Sequence, residues 1–143
     1  STSGLYGNFG QCNYGAAKAG IAGFARCLWP EAQRKGITVN VIAPAAVTRM
    51  TEDLPFFQRD GGAGESMRPE HVSPVVVFLA GPKAESITGR VFLVFGNTVK
   101  LIEPTAIPIA EGAGGEPWAV AAIGEKILET VGSRPHPSWI ERF

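Results

Sequence analysis

Tyr14 and Lys18 lie four residues apart in the run Asn13-Tyr14-Gly15-Ala16-Ala17-Lys18-Ala19-Gly20. On a helix that spacing stacks the two side chains on one face. A free phenol, with a pKa of about 10, exchanges protons poorly near neutral pH. A nearby ammonium favours the phenolate, so such a pair could pass a proton to or from a substrate hydroxyl or carbonyl. Taken alone, Tyr-x-x-x-Lys is common, and a surface contact is the plainer reading of it. His71 and His136 have no Cys, Asp or Glu partners at ligand spacing. They read as solvated, and no metal site is expected.

The elements that must position this pair are legible from periodicity and turn residues. Residues 1–12, rich in Ser, Gly, Asn and Gln, read as a loop. Ala17, Ile21, Phe24 and Leu28 recur at three- and four-residue spacing. They predict a helix over 13–35 with one buried face, an N-cap at Asn13 and a C-cap at Gly36. Pro30 should loosen its last turn. Residues 37–43 predict a strand covered on both faces and ended by Pro44. A long loop follows to 68, with one short helix near 51–58 and glycines at 61, 62 and 64. A helix is expected from about Pro69 to Ala80 and a second strand from Arg90 to Phe95. Residues 103–116 read as a linker. Trp118, Ile123, Ile127 and Val131 mark one side of a last helix, about 117–131, expected to dock over the substrate side. The tail beyond it should be irregular. Helix, strand, helix, strand is the grammar of a parallel α/β sheet. Two strands alone are too few to bury their helices.

The 143 residues carry 13 Lys and Arg against 13 Asp and Glu, a formal charge of zero. This argues against a nucleic-acid surface or a polybasic membrane anchor. No apolar run approaches the roughly 20 residues of a membrane-spanning helix. Cys12 and Cys27 would sit roughly 20 Å apart on one helix at about 1.5 Å per residue, too far to pair within one chain. Two free thiols fit a cytoplasmic setting.

Tyr14 and Lys18 have company. The run Ser1-Thr2-Ser3-Gly4, then Gly7-Asn8-Phe9-Gly10-Gln11-Cys12-Asn13-Tyr14 and on to Gly20, resembles the active-site segment of the short-chain dehydrogenase/reductase family. That family places a serine thirteen residues before the tyrosine, here Ser1. Gly36-Ile37-Thr38-Val39-Asn40-Val41-Ile42-Ala43-Pro44 resembles its next strand and proline turn. Ile87-Thr88-Gly89-Arg90-Val91-Phe92 resembles the start of its last strand. The three motifs stand in the family's order and spacing and cover about residues 1–100.

The resemblance implies an α/β fold, the C-terminal half of a doubly wound, parallel-sheet Rossmann-type domain. Residues 1–102 would form this half and 103–143 an extension with one amphipathic helix. It implies NAD or NADP as cofactor and hydride transfer with a secondary alcohol or ketone. Tyr14 would be the acid/base; Lys18 would hold the nicotinamide ribose; Ser1 would orient the substrate oxygen. Pro44, Val47 and Thr48, with Tyr14 and Lys18, would line the cofactor. The Gly-rich phosphate loop and the choice between NAD and NADP would lie in a first half outside these residues. Gly61-Gly62-Ala63-Gly64 and Gly112-Ala113-Gly114-Gly115 do not replace that loop, because neither follows a strand and opens a helix.

Departures narrow the resemblance. Ala45 stands where the family has glycine, and Phe95-Gly96-Asn97 replaces Asp-Gly-Gly. The stretch Ala43 to Thr51 is one residue shorter than usual. It is similar to the dehydrogenase part of peroxisomal multifunctional enzyme type 2 and its bacterial relatives, which implies a 3-hydroxyacyl-CoA substrate. Ala16, Gly20, Gly23 and Cys27 form a stripe of small residues, open to two readings. One is close packing within the chain; the other is a contact between subunits in a homodimer or homotetramer, as the family builds. The rival to an enzyme is an inactive remnant that serves only to hold an oligomer together.

Overall fold

The computed structural model describes residues 1–47, 67–112, 114–132 and 134. They fall into two compact units, Ser1–Glu103 and Pro104–Ser138.

The first unit opens with a short helix, α1 (Thr2–Tyr6), where the sequence had suggested only a loop. Ser1 makes the difference: its hydroxyl oxygen accepts from the Ser3 N–H at 3.2 Å, an N-cap that composition alone hides. The long helix α2 (Cys12–Gln33) follows. It begins before the expected Asn13, with Gln11 as its N-cap residue, and Gln11 makes no side-chain bond to it. Pro30 is tolerated in the last turn. The helix ends in a Schellman arrangement around Gly36. The Ile37 N–H donates to Ala32 at 3.1 Å and the Gly36 N–H to Gln33 at 3.0 Å.

The sheet has three strands in the order β1 (Val41–Ala45), β2 (Val91–Phe95), β3 (Thr98–Ile102). β1 runs parallel to β2, and β3 antiparallel to it. β1 starts later than the apolar run predicts and contains Pro44, paired with Val94, instead of stopping before it. Among the described strands β1 lies at the edge of the sheet, a position that tolerates proline. The start is displaced because side chains take over the pairing before Val41. The Asn40 amide donates to the Ile87 carbonyl at 2.7 Å and accepts from the Arg90 N–H at 3.1 Å. The Thr88 hydroxyl accepts from the Val39 N–H at 3.0 Å. β3 went unread in the sequence. Its signal is the two-residue Gly96-Asn97 link, with Gly96 at φ 47°, a glycine in the first central position of a tight hairpin.

A single turn, Pro69–His71, leads into α3 (Ser73–Ala80), so the expected helix is interrupted at Val72. Before it, the Met67 carbonyl accepts from the Val47 N–H at 2.7 Å. The short helix expected near 51–58 and the glycines at 61–64 lie outside the described residues. Burial concentrates on the central strand, where Val91, Leu93 and Val94 are at most 4% exposed; Ala22, Ala43 and Ala84 are buried as well. The face of α2 expected to be buried is not covered by the described residues: Ile21 is 54% and Phe24 67% exposed.

The second unit carries α4 (Val120–Val131). Trp118 precedes this helix instead of lying on it, with its ring in contact range of Gly112. Ile127, Leu128 and Val131 are exposed.

Gly89 is the tightest joint between α2 and the sheet. It holds φ +71°, and a Cβ there would stand 2.9 Å from the Trp29 ring. The left-handed backbone alone costs a side chain about 1–2 kcal/mol. Gly89→Ala should therefore destabilise the fold by about 2 kcal/mol or more once Trp29 is displaced. Urea unfolding measures this, and an unchanged midpoint would contradict the packing described.

Candidate functional site

The site begins with the first turns of α2, which put Tyr14 and Lys18 on one face. The Lys18 ammonium lies over the Tyr14 ring, 5.4 Å from its centroid, within reach of a cation–π attraction. Tyr14 is 48% exposed and Lys18 half-buried. The phenol is thus open to an incoming molecule, with the half-buried ammonium over its ring.

Helix α1 delivers Ser1 to the same neighbourhood. It packs directly on α2, and the two backbones interlock through glycines. A Cβ on Gly4 would fall 2.7 Å from Lys18 Cβ and from the backbone at Lys18 and Ala19. One on Gly15 would fall 3.1 Å from the Ser3 carbonyl. The N-cap bond uses a lone pair of the Ser1 hydroxyl and leaves its proton to donate elsewhere.

Three further residues hold this corner, and sequence reading passed over them as loop. Ser3, buried at 8% exposure, donates its hydroxyl to the Gln11 amide oxygen at 2.6 Å. Asn8 donates to the same oxygen at 3.2 Å. The available signal was a polar cluster flanking a glycine pair, which marks a hydrogen-bonded turn as readily as a free loop.

Of the remaining expected residues, Pro44 lies within β1 and Val47 just past its carboxyl end. α1 touches β1 as well as α2, so it is the element that links the two stretches. Thr48 and His136 lie outside the described residues. The Nδ1 of His71 is 3.0 Å from the Asn97 amide oxygen, tying the turn before α3 to the hairpin. Among the described residues no metal-ligating cluster forms, and no helix is long and apolar enough to cross a membrane. An open hollow of about 340 Å³ between α3 and the β2–β3 face is lined by apolar side chains, including Phe78, Phe92 and Val99. None of its lining groups titrates, so it is not where proton chemistry would occur. A Cβ on Gly20 or Gly23 would meet nothing within 4 Å, so the small-residue stripe is not tight packing inside the described chain.

The family model described as enoyl-(acyl carrier protein) reductase matches residues 1–96. The chain is 40% identical over 120 residues to hydroxyacyl-CoA dehydrogenase ChsB1 of Mycobacterium tuberculosis, spanning 82% of this chain and 38% of that protein. It is 47% identical over 90 residues to the peroxisomal hydratase-dehydrogenase-epimerase of Saccharomyces cerevisiae, spanning 63% of this chain and 10% of that protein. A short chain dehydrogenase from Mycobacterium avium superposes with a TM-score of 0.74 at 36% identity, over 96% of this chain and 43% of that one. The chain thus spans less than half the length of each of these relatives.

The Gly4 contact carries the geometry of the corner, because the atoms it would strike are backbone. Gly4→Ala is expected to lift α1 from α2. Hydrogen exchange at residues 2–6 should rise, while the middle of α2 keeps its protection. Unchanged protection over 2–6 would mean that the close approach is not structural.

Proposed function

The chain belongs to the short-chain dehydrogenase/reductase family, and from that premise we propose that it carries the proton-transfer part of an NAD- or NADP-dependent oxidoreductase site for a secondary alcohol or ketone. Its fold is the C-terminal half of a doubly wound, Rossmann-type α/β sheet. The observation that carries the reading is the Lys18 ammonium set over the Tyr14 ring on an exposed helix face.

In the reducing direction, the Tyr14 hydroxyl gives its proton to the substrate oxygen as the carbonyl becomes an alcohol. Lys18 stabilises the phenolate left behind. Ser1 donates its hydroxyl proton as a hydrogen bond to that same oxygen, holding it beside the phenol. Oxidation of the alcohol runs the same bonds in reverse. The donors of Tyr14 and Lys18 suit the vicinal hydroxyls of a ribose, and Pro44, Val47 and Thr48 would stand against the nicotinamide end. When bound, the nicotinamide supplies or takes the hydride at the substrate carbon. The likeness to a hydroxyacyl-CoA dehydrogenase supports a 3-hydroxyacyl thioester as the substrate class, and the family's habit supports a homodimer or homotetramer.

A second reading, an inactive remnant that only holds an oligomer, draws on the exposed Ile21 and Phe24 of α2. Titration of the 143-residue chain with NADH, followed by fluorescence, tests what the chain can do unaided. No saturable binding is expected, because among the described residues no glycine turn opens a helix for a pyrophosphate. Tight binding would overturn that part of the reading.

In a cofactor-competent enzyme, Tyr14→Phe should lower kcat by about a thousandfold while the unfolding midpoint holds, since the phenol is the acid of the proposed step and Ser1 only hydrogen-bonds the same oxygen. Retention of near-full turnover would remove Tyr14 from the acid/base role and with it the proposed reaction.

A further inference from the structure

We propose that Gln11 is a positioning residue, whose amide oxygen fixes Ser1 against the helix that carries Tyr14 and Lys18. The inference rests on the reaction proposed above. Gln11 touches none of the reacting groups and acts through Ser3. Its Oε1 receives the Ser3 hydroxyl at 2.6 Å and the Asn8 amide at 3.2 Å. Ser3 in turn donates its backbone N–H to the Ser1 hydroxyl oxygen at 3.2 Å. The main chain of Gln11 holds the other end of the link. Its carbonyl accepts from the Gly15 N–H at 2.7 Å, the first rung of α2. One residue therefore grips α1 with its side chain and begins α2 with its backbone, three positions before Tyr14.

Two details show that this link is built in. Side-chain caps onto a helix's own N–H groups come from Ser, Thr, Asp and Asn. Gln11, at the N-cap of α2, makes no such bond, and its side-chain oxygen instead serves Ser3 of α1 and Asn8. The donor it satisfies sits on Ser3, at 8% exposure, where a hydroxyl without a partner is costly. Removing the acceptor frees the segment that holds Ser1, and the hydroxyl then samples positions away from the substrate oxygen. Such a loss falls on the chemical step and spares cofactor binding, because Lys18 stays on α2.

The test compares Gln11→Ala, Gln11→Glu, Ser3→Ala and the Gln11→Ala/Ser3→Ala pair in the intact enzyme, reading kcat, substrate KM, cofactor Kd and the unfolding midpoint. Gln11→Ala should lower kcat by about tenfold to a hundredfold, the worth of one buried hydrogen-bond partner, with cofactor Kd unchanged. Gln11→Glu keeps an acceptor oxygen and should restore most of the rate. Ser3→Ala should match Gln11→Ala, and the pair should lose no more than either single change. Should Gln11→Ala fail to fold, Ser3→Ala cuts the same link from the donor side and decides by the same readouts. Losses that track only the folded fraction, or a Gln11→Glu variant as slow as Gln11→Ala, overturn the proposal. Tyr14→Phe in the same series separates the two levels. If it stays active, the reaction is wrong. If it is dead while Gln11→Ala runs at full kcat, the positioning role alone fails.

Discussion

Two backbones in contact without side chains between them set the geometry of this corner. At Gly4 the short first helix lies against the backbone of Lys18 and Ala19, and at Gly15 the long helix returns the favour against Ser3. Close approach of this kind leaves little room for sliding, since the distances are fixed by main-chain atoms and not by side chains able to change rotamer. The position of Ser1 relative to Tyr14 and Lys18 follows from it. So does the burial of Ser3, and through Ser3 the orientation of the Gln11 amide. Ser1, Tyr14 and Lys18 are common residue types; the glycines are what allow the helices that carry them to meet.

The sheet shows a related economy. Two of the stretches that carry the family resemblance, 36–44 and 87–92, meet in space before regular pairing begins. Asn40 and Thr88 supply hydrogen bonds where the ladder has not started. Gly89 sits under the Trp29 ring and joins α2 to β2. These residues do architecture and not chemistry. By contrast, the surface ion pair of Arg90 and Glu103, at 3.1 Å and more than half exposed on both sides, adds little to stability.

What the sequence made legible was whatever rests on spacing. The four-residue interval of Tyr14 and Lys18, the period of α2, and the apolar runs of β1 and β2 all survive into the structure because helix and strand geometry impose them. What stayed hidden depends on where a single side chain turns. α1 hangs on the Ser1 cap, the start of β1 on the Asn40 amide, and β3 on a hairpin whose outer strand alternates too weakly to stand out beside β2. The apolar face of α2 was read correctly as a face and wrongly as a buried one. Periodicity reports that Ile21 and Phe24 share a side; it does not report whether this chain or another supplies the cover.

The bond between the Val47 N–H and the Met67 carbonyl has a consequence for how such a protein can diversify. Chain leaves β1 and re-enters before α3 through one point, so residues 48–66 can lengthen or shorten without pulling on the sheet. Doubling the length of such an excursion costs only about 0.6 kcal/mol in closure entropy. Insertions there are nearly neutral for the fold. Length between these two points can therefore diverge ahead of architecture, with the neck at 47 and 67 insulating one from the other.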